Sequence, residues 1–201
     1  MRFALIVKTG AIQALECSTS VALRAKISGM NRIPLLVRFR VLLLGFIVGL
    51  VLAGATAFPL TIELKWLASW LESAPLQIPA FNEWIFRVRD ALVETDGKFP
   101  FLAYGYDWLA FAHLMIGVAF IGPLRDPVRN RWILEWAMIC CVCVIPLAFI
   151  MGPIRGIPFG WTLVDCAFGV VGFPPLYLCW KWSKELERLS SVPREASVVL
   201  T

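Results

Sequence analysis

Four long apolar stretches constrain the fold of this chain more than any other feature of its sequence. A helix needs about 20 predominantly apolar residues to cross the hydrocarbon core of a bilayer. The sequence meets that requirement over residues 41–58, 106–122, 132–151 and 161–180. Only 16% of the residues are charged, whereas soluble domains carry about a quarter. The sequence therefore predicts an all-α integral membrane protein, built as a four-helix bundle.

Basic residues lie on one side of this predicted four-span arrangement. They precede the first span, separate the second from the third, and follow the fourth: Arg24, Lys26, Arg32, Arg38 and Arg40; Arg125, Arg129 and Arg131; Lys181, Lys184 and Arg188. The positive-inside rule places that side, and both termini, in the cytoplasm. We therefore expect a multi-pass protein of the inner (cytoplasmic) membrane. Contact with the bilayer accounts for the formal net charge of +5 without a nucleic-acid partner.

The largest non-spanning segment, residues 61–104, has amphipathic patterns on the opposite, outer side. Apolar residues recur at helical spacing over residues 81–95, with the i,i+4 pair Glu83–Arg87 on the other face. Asn82 is the predicted N-cap of this helix. Residues 61–73 form a second, shorter pattern of the same kind. Both predicted helices lie on the outer leaflet or across the bundle mouth, as surface anchors or as a lid.

The predicted domain division follows from these segments. Residues 1–29 form a poorly ordered N-terminal arm, residues 30–185 the membrane domain, and residues 186–201 a cytoplasmic tail. Within the first span, Gly45, Gly49 and Ala53 recur at four-residue spacing, which lets another helix approach closely. The partner of this ridge is either the fourth span or a second copy in a homodimer. The fourth span has its own small and polar stripe: Thr162, Asp165, Gly169 and Gly172.

Ionisable groups inside spans mark candidate functional residues, since each costs about 2.5–3.5 kcal/mol to insert at the helix centre. The stretch YGYDWLAFAHLMIG, residues 104–117, contains Tyr106, Asp107 and the only histidine, His113. Tyr106 and His113 share a helical face, while Asp107 points about a third of a turn away from His113. Arg155 lies on the same side of the membrane as Asp107 and Asp165, where its charge can neutralise either carboxylate. The sequence predicts that these five residues form a ligand-binding region in the outer half of the bundle.

Three functions remain open at this point. The leading hypothesis is non-catalytic binding of a lipid-like small molecule or a membrane partner protein through the outer half. The second is a membrane enzyme acting on a lipid-soluble substrate, with His113 as acid/base, Asp165 as its orienting or cation-stabilising group and Tyr106 as a donor. The third is a homo-oligomeric channel.

The inner side of the second and third spans has a mainly structural interpretation. Arg125, Arg129 and Arg131 are predicted to face anionic lipid headgroups, and Arg131 to pair with Glu135 at i,i+4. Asp126 and Pro127 are predicted to open the third helix. The cysteines of the CCVC run in the third span lack the histidine or second cysteine pair that a metal site requires. The sequence predicts neither a metal nor a cofactor.

The motifs YGYDW, GPLRDPVRNRW and GPIRGIPF, within about residues 100–185, also carry a resemblance. In this region the chain resembles uncharacterised bacterial four-span inner-membrane proteins. The resemblance implies no activity.

Overall fold

The structure is a computed structural model that describes residues 33–75 and 78–191. The predicted arm, residues 1–29, and the last ten residues of the predicted tail lie outside the described residues. Throughout the described ranges the secondary structure is helical. This confirms the predicted all-α fold.

The helices follow one another with short connections. They are α1 (Ile33–Ala57), α2 (Leu60–Ser73), α3 (Pro79–Lys98), a 3-10 turn (Pro100–Ala103), α4 (Tyr104–Ala119), α5 (Ile121–Arg125), α6 (Arg131–Ile154) and α7 (Phe159–Ser190). Four segments of the described chain are long and apolar enough to cross a membrane: α1, Pro100–Arg125, α6 and α7. The protein is therefore a multi-pass membrane protein. The helix α7 continues through the predicted boundary at residue 186.

All four spanning segments meet in one half of the bundle, which we call the basic end. It contains the described start of α1, the helix α5, the start of α6 and the end of α7. Its core is a cluster of buried side chains from α1, α4, α6 and α7: Phe39, Leu43, Phe120, Ile133, Leu134, Ala137, Leu176 and Cys179. This cluster holds the four segments together, because close packing of large side chains contributes dispersion contacts that lipid does not match.

Polar contacts join α6 to α7 at the basic end. Arg131 forms ion pairs with Glu187 at 2.6 Å and with Glu135 at 3.7 Å, so the predicted Arg131–Glu135 pair is present. The indole N–H of Trp180 donates to Glu135 at 2.8 Å. The buried hydroxyl of Ser183 donates to the carbonyl oxygen of Pro127 at 2.7 Å. These bonds fix the start of α6 against the end of α7.

The opposite half, which we call the α3 end, is packed differently. It contains the end of α1, the start of α4, the end of α6 and the start of α7. Among the described residues, the spanning helices fully bury no large hydrophobic side chain there. Contacts are made through glycines instead. A Cβ on Gly54 of α1 would lie 2.9 Å from the carbonyl oxygen of Ala110 in α4, and one on Gly152 of α6 would lie 2.7 Å from Thr162 Oγ1 in α7.

The helices α2 and α3 run antiparallel and lie across the α3 end. Near its start, α3 contacts α7 through the stacked rings of Phe81 and Trp161, with centroids 5.9 Å apart. Near its end, it contacts α4 through a 3.1 Å hydrogen bond from the Tyr106 hydroxyl to Asp96. Phe81 and Asp96 are separated by about 22 Å of helix, at 1.5 Å per residue. The amphipathic helices predicted between the first two spans are therefore present, and α3 bridges α7 and α4.

Two predicted helix caps are wrong. The helix α3 begins at Pro79 with Ile78 as its N-cap, because proline is favoured in the first turn, and Asn82 is buried inside the helix. Asp126 does not cap α6, which begins at Arg131. Its carboxylate instead accepts the backbone N–H groups of Val128 and Arg129, at 3.2 and 3.0 Å, and so caps the turn that precedes α6.

Candidate functional site

Asp96 is the centre of the polar contacts at the α3 end. The hydroxyl of Thr61, at the start of α2, donates to Asp96 Oδ2 at 2.6 Å. The hydroxyl of Tyr106, in the first turn of α4, donates to Asp96 Oδ1 at 3.1 Å. All three residues are half-buried. One carboxylate therefore joins α2, α3 and α4, and the Tyr106 hydroxyl is used in attaching α3.

Sequence reasoning missed Asp96 although it identified Tyr106. The two residues lie on different helices, separated by the 3-10 turn Pro100–Ala103. Rules of helical spacing relate residues on one helix only. The available signal was the position of an acidic residue near the end of an amphipathic helix that leads directly into a span.

His113 lies at the contact between α1 and α4. Its imidazole Nδ1 is 2.8 Å from the carbonyl oxygen of Leu109, one turn earlier. Because a carbonyl has no proton to give, Nδ1 donates, and in the neutral ring the acceptor lone pair lies on Nε2. A Cβ on Gly54 would lie 2.9 Å from the Cβ of His113. The histidine is therefore held by its own helix and covered by α1.

Asp165 and Arg155 lie on the α6–α7 side of the bundle. Asp165 is half-buried in α7, three residues after the buried Thr162, and so lies on the edge of the helix face that packs on α6. Arg155 is exposed at the C-cap of α6. Within residues 33–75 and 78–191, no hydrogen bond or ion pair joins the side chains of Asp165, Arg155 or Asp107 to another group. The neutralisation of Asp107 or Asp165 by Arg155, which the sequence suggested, is not seen.

The five predicted ligand-binding residues are therefore not gathered in one site at the α3 end. Asp107 is half-buried in the first turn of α4. Tyr106 belongs to the α2–α3–α4 junction, and His113 to the α1–α4 contact. Asp165 and Arg155 belong to the α6–α7 pair. His113 forms no hydrogen bond with either Asp165 or Tyr106 among the described contacts. The enzyme hypothesis stays a prediction, and none of these contacts supports it.

The ridge of small residues predicted on α1 does not pack against another helix within the described chain. Gly45, Gly49 and Ala53 are exposed, and a Cβ on Gly45 or Gly49 would have no neighbouring atom within 4 Å. The small stripe of α7, by contrast, packs on α6: a Cβ on Gly169 would overlap the carbonyl oxygen of Cys141. The close approach of α1 to α4 occurs at Gly54 instead.

Two of the grooves between helices of the described chain are open along one side. The first, of about 310 Å³, lies between α6 and α7 and is apolar: its lining is Cys141, Val142, Ile145, Gly169, Val170 and Phe173. The second, of about 400 Å³, lies at the basic end: its lining is Arg40, Val41, Leu44, Leu124 and Arg125. Neither groove contains Tyr106, Asp107, His113 or Asp165.

The three arginines predicted to face lipid headgroups have different environments. Arg131 is half-buried and paired with Glu187 and Glu135. Arg129 is exposed on the turn capped by Asp126. Arg125 is exposed and lines the groove at the basic end. Of these three arginines, Arg125 alone lines one of the two grooves described above.

Two further observations concern charge and metal binding. Arg89 of α3 bonds Asp90 at 2.8 Å and Glu72 of α2 at 3.4 Å. The bond to Asp90 raises the pKa of Arg89 above its ordinary value. In the described ranges, no group of three or more histidine, cysteine or acidic residues is placed to hold a metal ion.

Comparison with protein-family models, curated proteins and solved structures finds no match to this chain. Its function is therefore inferred from its own contacts.

Proposed function

We propose that this protein is a non-catalytic membrane subunit that binds a second membrane protein through the α3 end of its bundle. The observation that carries the proposal is Asp165, a half-buried carboxyl group in a spanning helix with no hydrogen-bonding or ionic partner in the described chain. A charged group costs about 2.5–3.5 kcal/mol at the centre of a spanning helix, and Asp165, about 9 Å along α7 from its start, bears the part of that cost that remains toward the end of the span. A partner helix that supplies a cation or a hydrogen-bond donor removes this cost.

The surroundings of Asp165 support a protein partner more than a small molecule. Small-molecule sites enclose most of the ligand surface, whereas the two grooves described above are open and neither is lined by Asp165. Beside Asp165 the surface of α7 is apolar, with Val164, Phe168 and Val171 exposed by 45%, 70% and 71%. Lipid tails can cover such an apolar stripe, but they cannot form a hydrogen bond with the Asp165 carboxyl group at its edge. The stripe and the carboxyl group together match a partner helix that is apolar except for one polar side chain.

The proposal is tested with Asp165→Leu, using as control Val118→Leu, which changes an exposed residue of α4 outside the proposed partner surface. Each tagged protein is extracted in mild detergent and studied by native mass spectrometry beside the wild type. We expect a defined wild-type complex, retained by Val118→Leu and reduced at least about tenfold by Asp165→Leu, by the rule that 1.4 kcal/mol is a factor of ten. Circular dichroism checks that helix content is unchanged.

Two outcomes contradict the proposal. Equal yields of the complex from Asp165→Leu and Val118→Leu show that the carboxyl group does not bind the partner. A retained small molecule that is lost with Asp165→Leu, with no second protein, favours the lipid-like ligand instead.

We also propose that the protein lies in the inner (cytoplasmic) membrane with its basic end in the cytoplasm and both termini inside. Arginines and lysines concentrate at the basic end, on α1, α5, the following turn and α7, as the positive-inside rule requires. Alkaline phosphatase inserted between α2 and α3 should be active, since it folds only outside the cytoplasm. A fluorescent protein fused after residue 201 should fluoresce. The reverse pattern contradicts this orientation.

A homo-oligomer is the second candidate, favoured by the exposed ridge of α1. Because Gly45 and Gly49 have open space beside them, another helix can approach the α1 backbone closely there. Gly49→Leu should then convert a dimer to a monomer in size-exclusion chromatography with light scattering, while Val48→Leu on the neighbouring surface leaves it unchanged. Equal masses for both variants contradict this second candidate. If the homo-oligomer is a channel, the purified protein should also conduct ions in planar bilayers.

A further inference from the structure

Two arginines flank the groove at the basic end. Arg40, on α1, donates its Nε–H to the carbonyl oxygen of Leu124 at 3.2 Å. Arg125 is the last residue of α5. Both side chains are exposed, and within the described ranges neither forms an ion pair. The bond to Leu124 holds the Arg40 guanidinium at the groove while its terminal amino groups remain available.

The groove combines this charge with an apolar floor. Val41 and Leu44, exposed by 66% and 50%, lie next to Arg40, and Val48, exposed by 49%, continues the same stripe along α1. Residues at i, i+3 and i+7 share one helical face. The stripe runs for about 10 Å from Val41 toward the middle of the span, at 1.5 Å per residue. The surface is therefore cationic at the end of the span and apolar below it.

The charge of this groove is not cancelled by its neighbours in the sequence. Asp126 follows Arg125, but its Oδ1 accepts the backbone N–H groups of Val128 and Arg129. Arg131, by contrast, is neutralised by Glu187 and Glu135. Guanidinium groups bind phosphate oxygens with paired, charge-assisted hydrogen bonds. Two unpaired guanidinium groups above an apolar stripe match a phosphate attached to an acyl chain.

We propose that this groove binds one anionic phospholipid, with its phosphate between Arg40 and Arg125 and an acyl chain along Val41, Leu44 and Val48. This lipid site lies in the opposite half of the molecule from the proposed partner-binding surface and does not depend on it. It also differs from the arginine trio that the sequence suggested, since it uses Arg40 and leaves out Arg129 and Arg131.

The test measures lipid retention by native mass spectrometry of the full chain. Phosphatidylglycerol and phosphatidylcholine with identical acyl chains are titrated into wild type, Arg125→Gln and Arg40→Gln/Arg125→Gln. The control Arg38→Gln/Arg129→Gln removes the same charge from exposed positions outside the groove. We expect wild type and control to prefer phosphatidylglycerol. Affinity should fall about fivefold for each groove arginine lost, from about 1 kcal/mol per basic residue near an anionic surface.

A further arm separates a phospholipid from free phosphate. Inorganic phosphate at millimolar concentration should not displace phosphatidylglycerol, and Leu44→Asn should weaken retention of both phospholipids because it makes the acyl path polar. Displacement by phosphate, or no effect of Leu44→Asn, overturns the acyl-chain part of the proposal. Equal losses in the groove and control double variants overturn the site. Arg125→Gln leaves both partners of the Arg40–Leu124 bond in the sequence, and circular dichroism checks that its helix content is unchanged.

Discussion

Gly54 lies where α1 and α4 come closest. A Cβ at this position would lie 2.9 Å from both the Ala110 carbonyl oxygen and the His113 Cβ, and 3.4 Å from Leu114 Cδ2. The first two neighbours are a backbone atom and the root of a side chain, so neither can turn away. At the scale of single residues, this contact explains why α4 packs against α1 and why His113 is covered.

Gly54→Ala should therefore destabilise the protein, whereas Gly49→Ala should not. Overpacking of a close contact costs about 1–3 kcal/mol. At Gly49, where nothing lies within 4 Å, the higher helix propensity of alanine should be neutral or stabilising by up to about 1 kcal/mol. Thermal unfolding of both variants in one detergent, followed by circular dichroism, measures the difference. Equal shifts in Tm would show that α1 and α4 are not in close contact at Gly54.

The helix α3 is the element that organises the α3 end. It is attached to α2 and α4 through Asp96 and to α7 through Phe81. On α2, the exposed face carries Trp66 and Trp70, which are 74% and 63% exposed. Tryptophan is enriched at membrane–water interfaces. The α2–α3 pair is therefore expected to lie in the interface and to cover the bundle from that side.

Asp96→Ala should loosen this element without unfolding the spans. The change leaves the Thr61 and Tyr106 hydroxyls without their acceptor, at a cost of about 1–3 kcal/mol. Local opening governs amide exchange, so hydrogen–deuterium exchange in α2 and α3 should accelerate by about 5- to 140-fold, by the rule of 1.4 kcal/mol per factor of ten. The exposed Glu83→Ala on the same helix is the control. Unchanged exchange in Asp96→Ala would show that its hydrogen bonds do not hold α3.

For the whole molecule, the two halves differ in how they are packed. Large buried side chains from all four spanning segments meet at the basic end. At the α3 end the helices form an α1–α4 contact at Gly54 and an α6–α7 contact at Gly152. The α3 end, which holds the polar residues of the spans, therefore has fewer large buried side chains between its helices than the basic end. The partner surface is proposed at the α3 end.

Phe120→Ala should consequently cost far more stability than Phe168→Ala. Phe120 is fully buried in the basic-end core and packs edge-to-face on Phe46 at 5.2 Å, whereas Phe168 is 70% exposed. Removing a buried phenylalanine leaves a cavity and costs about 3–5 kcal/mol in soluble proteins. We expect the lower part of that range here, because lipid is as apolar as the core. Denaturation in mixed micelles compares the two variants, and equal stabilities would contradict this arrangement of the core.

The polar residues show which contacts the spacing along one helix can predict and which it cannot. Spacing along one helix placed Tyr106 and His113 on a common face of α4, and it identified the Arg131–Glu135 pair, which the structure contains. It did not identify Glu187 as the second partner of Arg131, nor Asp96 as the partner of Tyr106. In both cases the partner is on a different helix, at a distance in sequence that no helical period relates.

By itself the sequence determined that this is an all-α, multi-pass membrane protein with amphipathic helices between its first two spans. Run length and periodicity are enough for that, because a backbone in lipid must satisfy its own hydrogen bonds. Only the tertiary structure decided that α1 contacts α4 through Gly54 and leaves Gly45 and Gly49 exposed. It likewise decided that Arg40 and Arg125 line the same groove. Which faces meet depends on the shapes of several helices at once, because association in lipid is selected by close packing and not by apolar character.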